Sequence, residues 1–536
     1  MAASENLENL AGTRILFTSD EHLKLTPEPT KSPNDPLNWS PARKYWHAAL
    51  VLFIVGFTAA TSNDVAAAQY GMNSQLGISW TLMNTSAGIL FIGIGYGTLL
   101  TAPIPSLYGR RMMYIVCLLS SLIGCTWLAR TMGPNDALWN QLFIGASEAC
   151  AEATAQLSLS DLFFEQQRGS VMGLYVLATS IGTYLGPLLA GFIANSVGWR
   201  WVGWFALIIS FGTLIVFYFT FEETTFDRKV YLRGDMPVTD TTSSTSPTAE
   251  EVKSASKEHT PVWATSLSDL DDNGSSDAPK PYWQRIALVT PSPLLRGTGF
   301  VQYLKTMWHI LRVFSFPGVW YSGLQWGAQD AWLTFYLTVE DDDWVMPPWN
   351  YSPNGAAMMN IPTLIGAIIG CCYGGWFSDK FVEWYARRNN NLFEAEYRLW
   401  LMYPAAFIGS AGLILFGIGT DLGMNWPAPY VGLGMIGFGW GCAGDLSLAY
   451  LQDAYPEMVL EGMVGVSVIN NSIGCIFTFC AGIWLNVQST KMVFVEIGIL
   501  SFVFMMTTVP MMTWGKAARR WTRTRYENFV SRRDGN

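Results

Sequence analysis

The sequence predicts an all-α integral membrane protein, with twelve transmembrane helices arranged as two pseudo-symmetric six-helix bundles. Three observations carry that prediction. Half of the 536 residues are hydrophobic and only 14% are charged, with a mean hydropathy of +0.22, whereas soluble domains carry about 25% charged residues. Apolar runs of about 20 residues, the length that crosses a bilayer, recur along most of the chain. The two halves also echo each other: Asp161 is followed nineteen residues later by Ser180-Ile181-Gly182, and Asp453 nineteen residues later by Ser472-Ile473-Gly474. This composition excludes a disordered chain and a nucleic-acid binder, and it argues against a cytosolic enzyme.

The runs lie at 46–68, 84–106, 112–129, 138–160, 171–193 and 202–221, then at 314–338, 355–377, 399–419, 427–450, 463–486 and 492–514. A polar stretch precedes the first run with no apolar signal peptide, so that run is expected to act as the membrane signal. Twelve crossings place both ends on one side, and the Lys/Arg bias selects which. Sixteen basic residues flank that side, including Arg110, Arg111, Arg168, Lys380, Arg387, Arg398 and the tail from Lys516 to Arg533; only Arg130, Arg200 and Lys491 flank the other. Both termini are therefore expected in the cytosol.

The expected organisation is a cytosolic tail (1–45), a first bundle (46–221), a central loop (222–313), a second bundle (314–514) and a basic tail (515–536). Within the loop, 236–280 is rich in Ser, Thr and Asp and too poor in large apolar residues to fold. It reads as a disordered tether, or as a phosphorylatable linker. The apolar stretch from Phe300 to Leu311 is short and fits a helix lying on the inner membrane surface. All eight cysteines fall inside apolar runs, as small buried hydrophobes would, which argues against a disulfide framework or a zinc site.

The most informative residues are acids inside the runs: Asp64, Glu148, Glu152, Asp330 and Asp445. No Lys or Arg lies well inside a run. A carboxylate at mid-bilayer costs about 2.5–3.5 kcal/mol on insertion scales, so five of them need a reason. They occupy runs one, four, seven and ten only. Glu148 and Glu152, four apart, share a helix face. One reading is a wet central cavity whose carboxyls take up protons or bind a cation; the other is interhelical hydrogen bonding by neutral or paired acids. Gln325 and Gln329 cluster with Trp326 around Asp330, Asn360 precedes Pro362 in run eight, and Asn470 and Asn471 mark run eleven. These polar groups are the expected remainder of a binding cavity.

Other motifs point to motion rather than binding. Gly182, Gly186 and Pro187 in run five combine small-residue spacing, which lets helices approach closely, with a helix-bending proline. Gly109-Arg110-Arg111 occupies the short turn between runs two and three, where glycine permits the turn and the arginines stay at the inner surface. No phosphate-binding loop of the G-x-x-x-x-G-K-[ST] type, no H-E-x-x-H and no G-x-S-x-G occur, so ATP-driven pumping and hydrolytic chemistry lack their usual motifs. No cofactor is expected. Of five N-x-[ST] sequons, Asn350 sits in a sizeable outer loop and Asn84 lies outside but near the membrane; both are glycosylation candidates, whereas Asn38 and Asn273 fall on the cytosolic side.

The twelve runs, long central loop, Gly109-Arg110-Arg111 turn and Gly-Pro motif of run five resemble the major facilitator superfamily, in which the run-five motif is associated with antiporters. More narrowly, Asn34-Asp-Pro-Leu-Asn-Trp-Ser40, Asp161-Leu-Phe-Phe followed by Arg168-Gly169, Gly375-Trp-Phe-Ser-Asp379-Lys380 and Glu394-Ala-Glu-Tyr-Arg398 are similar to a fungal twelve-span branch of drug:proton antiporters that includes transporters of polyamine-like cations. The resemblance implies the major facilitator fold and a conformational role for Asp379. The chain departs from the pattern at Ser106, where an acid is usual, and around Asn140 and Gln141, where an arginine is usual. The expectation is a secondary transporter in the plasma membrane, exporting a small organic compound such as a secondary metabolite or toxicant by proton-coupled alternating access. A vacuolar or vesicular membrane is the alternative location. Its expected partners are that substrate, protons and the lipid bilayer, with no nucleic acid or ATP. Uptake of an organic cation or nutrient is the nearest rival; a transport-dead sensor or scaffold signalling through the linker is the rival from another class.

Overall fold

The structure is a computed structural model that describes residues 10–15, 27, 30, 32–226, 228, 279–292, 295, 299–424 and 427–535. Nearly all of the expected linker, through residue 278, and the sequon at Asn273 lie outside the described residues.

Twelve helical spans follow one another: α1 (Pro41–Leu76), α2 (Trp80–Leu107), α3 (Arg110–Ala129), α4 (134–162), α5 (Arg168–Val197), α6 (Arg200–Thr220), α7 (Pro317–Asp342), α8 (360–388), α9 (Met402–Asp421), α10 (Ala428–Ala454), α11 (Val459–Val487) and α12 (Thr490–Arg533). Among the described residues, nine helices are long and apolar enough to cross a membrane by length and composition. The other three are α4, α7 and α10, which bear Glu148 and Glu152, Asp330, and Asp445. They are less apolar because they are central: from Gly439 to Ala454 every residue of α10 is buried.

The packing repeats between halves. α2 lies against α4 as α8 lies against α10, α1 against α5 as α7 against α11, and α3 against α6 as α9 against α12. The halves meet along two related seams, α2 with α11 and α5 with α8. Small residues set the spacing inside each half. A Cβ at Gly182 would collide with the Gly56 carbonyl of α1, and one at Gly186 would sit 2.8 Å from the Ala60 Cα, so α1 and α5 approach to backbone contact. Pro187 stands inside α5 one residue further on.

The described segments near both chain ends lie against one face. Strand β1 (Thr13–Ile15) pairs antiparallel with β2 (Leu392–Glu394) between α8 and α9, with Thr13 opposite Glu394. The basic tail is part of a helix over Thr508–Gly535. From it Arg519, almost fully buried, donates to Glu396 at 2.9 and 2.5 Å and to Thr13 at 3.2 Å. The short helix Phe300–Ile310 lies at the same face, where the Tyr303 hydroxyl donates to the Leu100 carbonyl at the end of α2.

Candidate functional site

The three acids of α4 and α7 converge between the halves. Glu152 lies inside a π-helical turn of α4, Cys150–Ala155, that begins two residues after Glu148; such widened turns recur at functional sites. Glu148 accepts a 2.5 Å hydrogen bond from Ser62 of α1. Glu152 lies within hydrogen-bonding reach of Ser467 of α11. Asp330 accepts from the Trp440 indole of α10 at 3.2 Å and is within reach of Asn470. Glu148 and Asp330 interact electrostatically with each other, and Glu152 with both. Tyr175 and Tyr184 of α5 face the same group, Tyr175 near both glutamates and Tyr184 near Asp330. Glu152 and Asp330 keep partial exposure although Ala151, Ala153, Ala328 and Ala331 beside them are buried. Among the described residues no Lys, Arg or His pairs with any of the three.

Asp64 and Asp445 lie apart from this group. An Asp64 oxygen has no hydrogen-bond partner and faces Gly186, 2.7 Å from where a Cβ would stand. Asp445 is fully buried with neither oxygen bonded, and it is held against Gly173 of α5 and Gly374 and Gly375 of α8. Its electrostatic neighbours are Arg398 and Asp379.

Those two residues belong to a charged seam at the face that carries the termini. Asp379 of α8 accepts from the Gly169 and Ser170 backbone N–H groups at 3.1 and 2.7 Å. A carboxylate of one half thus caps the N-terminus of α5 in the other, where the helix dipole favours it. Arg398 donates to Asp379 at 2.8 Å and to Asp453 at 2.7 Å, and Arg168 donates to the Gln452 carbonyl at 2.6 Å. Arg14 in β1 pairs with Glu165 just before α5, so the N-terminal strand also joins the two halves.

The turn between α2 and α3 is built differently. Gly109 has φ +104°, a conformation glycine adopts without strain, and a Cβ there would come 2.5 Å from Glu223. Glu223 accepts the Arg110 and Arg111 N–H groups at 3.0 and 3.1 Å, and Arg110 reaches Asp161 at 3.2 Å. Asp161 belongs to α4 and Glu223 to the start of the central loop just past α6, so the turn braces its own bundle and, among the described residues, makes no contact of this kind with the other half.

The remaining polar candidates divide. Gln325 ties α7 to α12, donating to the Phe504 carbonyl at 2.8 Å and Thr507 at 2.9 Å. Asn360 accepts the Tyr336 hydroxyl at 2.6 Å. Asn471 donates to the Ser467 carbonyl at 2.8 Å and packs against Gly95 of α2. Gln329 is buried with its amide nitrogen unpartnered. Asn350 is exposed in the outer loop; Asn84 is exposed on α2, beside Gly482 of α11. Ser62, Ser467, Trp440, Tyr175 and Tyr184 were not expected at the site. Only Ser62 had a signal, standing in the polar run Thr61-Ser-Asn-Asp64.

Two six-helix bundles enclosing polar groups at mid-span define a membrane transporter rather than an enzyme. The sequence model of the Major Facilitator Superfamily matches residues 49–479, and the chain belongs to that family. It is 47% identical to "Uncharacterized MFS-type transporter C1271.10c" of Schizosaccharomyces pombe, over 98% of this chain and 96% of that one. It is 46% identical to "Protein HOL1" of Saccharomyces cerevisiae, over 99% and 96%. Among solved structures it resembles the proton:xylose symporter XylE at a TM-score of 0.56 and 12% identity, covering 88% of this chain and 97% of that one, a likeness of fold alone.

Proposed function

We infer that this transporter moves a small organic cation outward in exchange for protons, with Glu148, Glu152 and Asp330 as the shared site. The observation that carries this reading is the convergence of three carboxyls without a basic partner among the described residues. Charges withdrawn from water need compensation, and here only a bound cation or protons would supply it. Because both compete for the same oxygens, the site carries one or the other on each crossing. An inward proton gradient then drives the cation out. Tyr175, Tyr184 and Trp440 are aromatic neighbours of the three acids, and aromatic rings suit an organic cation. Asp379, Arg398 and Arg168 form the inner gate that parts when the halves rock. The basic flanks support cytosolic termini, and export of this kind suits the plasma membrane, with Asn350 outside for glycan attachment.

The test is efflux of a labelled linear polyamine from proteoliposomes. Acidifying the trans side should accelerate efflux. Glu148→Gln and Asp330→Asn should each lose that pH dependence and weaken polyamine binding by about tenfold or more, the loss of one charge-assisted contact. Export by both variants with unchanged pH dependence would remove the cluster from the mechanism.

A further inference from the structure

On the face that carries both termini, nearly every cation near the seam is matched to an acid: Arg14 with Glu165, Arg398 with Asp379 and Asp453, Lys516 with Glu394, Arg519 with Glu396. Arg533 pairs with Glu457 and Glu461. Arg388, Arg520 and Arg525 on this face have no acidic partner among the described residues either, but three further cations without one come together. Lys305 of the helix Phe300–Ile310, Arg312 of the turn Leu311–Ser315 and Arg532 of α12 line one groove of about 630 Å³, are exposed, and have no acidic partner among the described residues. His309 forms the floor, stacked on Phe529 with ring centroids 4.1 Å apart. Burial and the positive charges of Arg312, Arg533 and Arg532 hold that imidazole below its usual range.

The apolar surroundings specify what kind of anion fits. Phe300, Val301, Leu304 and Trp308 project from the same short helix, with Phe300, Val301 and Trp308 each about two-thirds exposed at 66, 65 and 69%. A helix with one apolar exposed face and a cationic flank lies in the headgroup region of a membrane. Two residues beyond Arg312, Phe314 begins a second groove of about 560 Å³ between α7, α11 and α12. Its lining is almost wholly apolar, and Trp320 and Trp514 stand at it, 53% and 68% exposed. The Trp320 indole donates to the Phe314 carbonyl at 2.8 Å, which fixes the junction of the two grooves. A cationic pocket whose Arg312 stands two residues along the chain from an apolar groove on membrane spans matches the parts of a lipid: anionic head, then acyl chain.

We propose that Lys305, Arg312 and Arg532 form a binding site for the headgroup of an anionic phospholipid of the inner leaflet, whose acyl chain lies in the groove between α7, α11 and α12. Bound there, the lipid fastens the central-loop helix to the end of α12 and to the start of α7. The site is separate from the transport cluster and does not depend on the proposed substrate.

The test uses the full chain in mixed micelles of phosphatidylserine and phosphatidylcholine, with retained lipid counted by native mass spectrometry. Wild type should retain phosphatidylserine selectively. Lys305→Gln, Arg312→Gln and Arg532→Gln should each weaken retention about fivefold, and together on the order of a hundredfold. Replacing Arg388, Arg520 and Arg525 on the same face by Gln should leave it intact. Equal loss in that control, or full retention in the first triple variant, would overturn the proposal. If the triple variant fails to fold, wild type alone decides it: phosphatidylserine bearing a photoreactive acyl chain should label peptides containing Trp320 or Trp514, and labelling confined to other surfaces refutes the site. Soluble glycerophosphoserine should not displace the lipid at equal concentration; if it does, the groove takes soluble anions and the lipid assignment falls.

Discussion

Asp35 shows how much one side chain organises here. It sits in the Asn34-to-Ser40 motif, fully buried, and accepts from the Leu37 N–H at 3.0 Å, from the Thr30 N–H at 3.2 Å and hydroxyl at 3.0 Å, and from Arg228 at 3.0 and 3.3 Å. Burial pushes its carboxyl up, but Arg228 and the Leu37 and Thr30 N–H groups outweigh that and hold it below the usual carboxylate range. A carboxyl lowered on folding stabilises the fold above its unfolded value, and that stability is lost as pH falls through the lower folded one. Asp35→Ala should therefore cost about 1–3 kcal/mol near neutral pH and progressively less in acid, measurable as a thermal shift that shrinks with pH. A shift independent of pH would show that neither Arg228 nor the N–H groups favour the ionised carboxyl. The motif was visible in the sequence; its partner, Arg228, lies 193 residues away and no local pattern points to it.

At the level of elements, α5 is held by close contact on two sides. It meets α1 through Gly182 and Gly186, and α8 through Gly173, where a Cβ would come 3.0 Å from the Cys371 carbonyl and 3.1 Å from the Gly375 Cα. Gly182→Ala should separate α1 from α5 and destabilise the first bundle by about 1–3 kcal/mol, read as a lower midpoint in thermal unfolding of detergent-solubilised protein. Gly173→Ala acts across the seam between halves instead, so it should slow transport more than it lowers that midpoint. Run five displayed its glycines and proline in sequence, but which of them faces its own bundle and which faces the other follows only from helix placement. The π-helical turns of α4 and α8 likewise leave no mark in apolar periodicity.

On the scale of the whole molecule, the two halves are locked at the face carrying the termini. Asp379, Arg398, Arg168 and Asp453 form that lock, and β1 extends it. Removing one member of a buried ion pair costs about 3–5 kcal/mol because the other charge is left uncompensated. Asp379→Asn should therefore shift the population toward the state open on this face. Spin labels at Gln167 and Lys380, both exposed beside the seam, should report a longer distance by double electron–electron resonance in the variant; an unchanged distribution would exclude Asp379 from the gate.

The sequence by itself determined twelve crossings, two related halves, and the spans that bear acids, because lipid tolerates only long apolar helices and makes each buried charge conspicuous. Tertiary structure alone decided that Glu148, Glu152 and Asp330 meet while Asp64 and Asp445 lie apart, and that the turn at Arg110 braces its own bundle while Asp379 spans both. Which way a helix face turns depends on the shapes of its neighbours, and those neighbours lie far away along the chain.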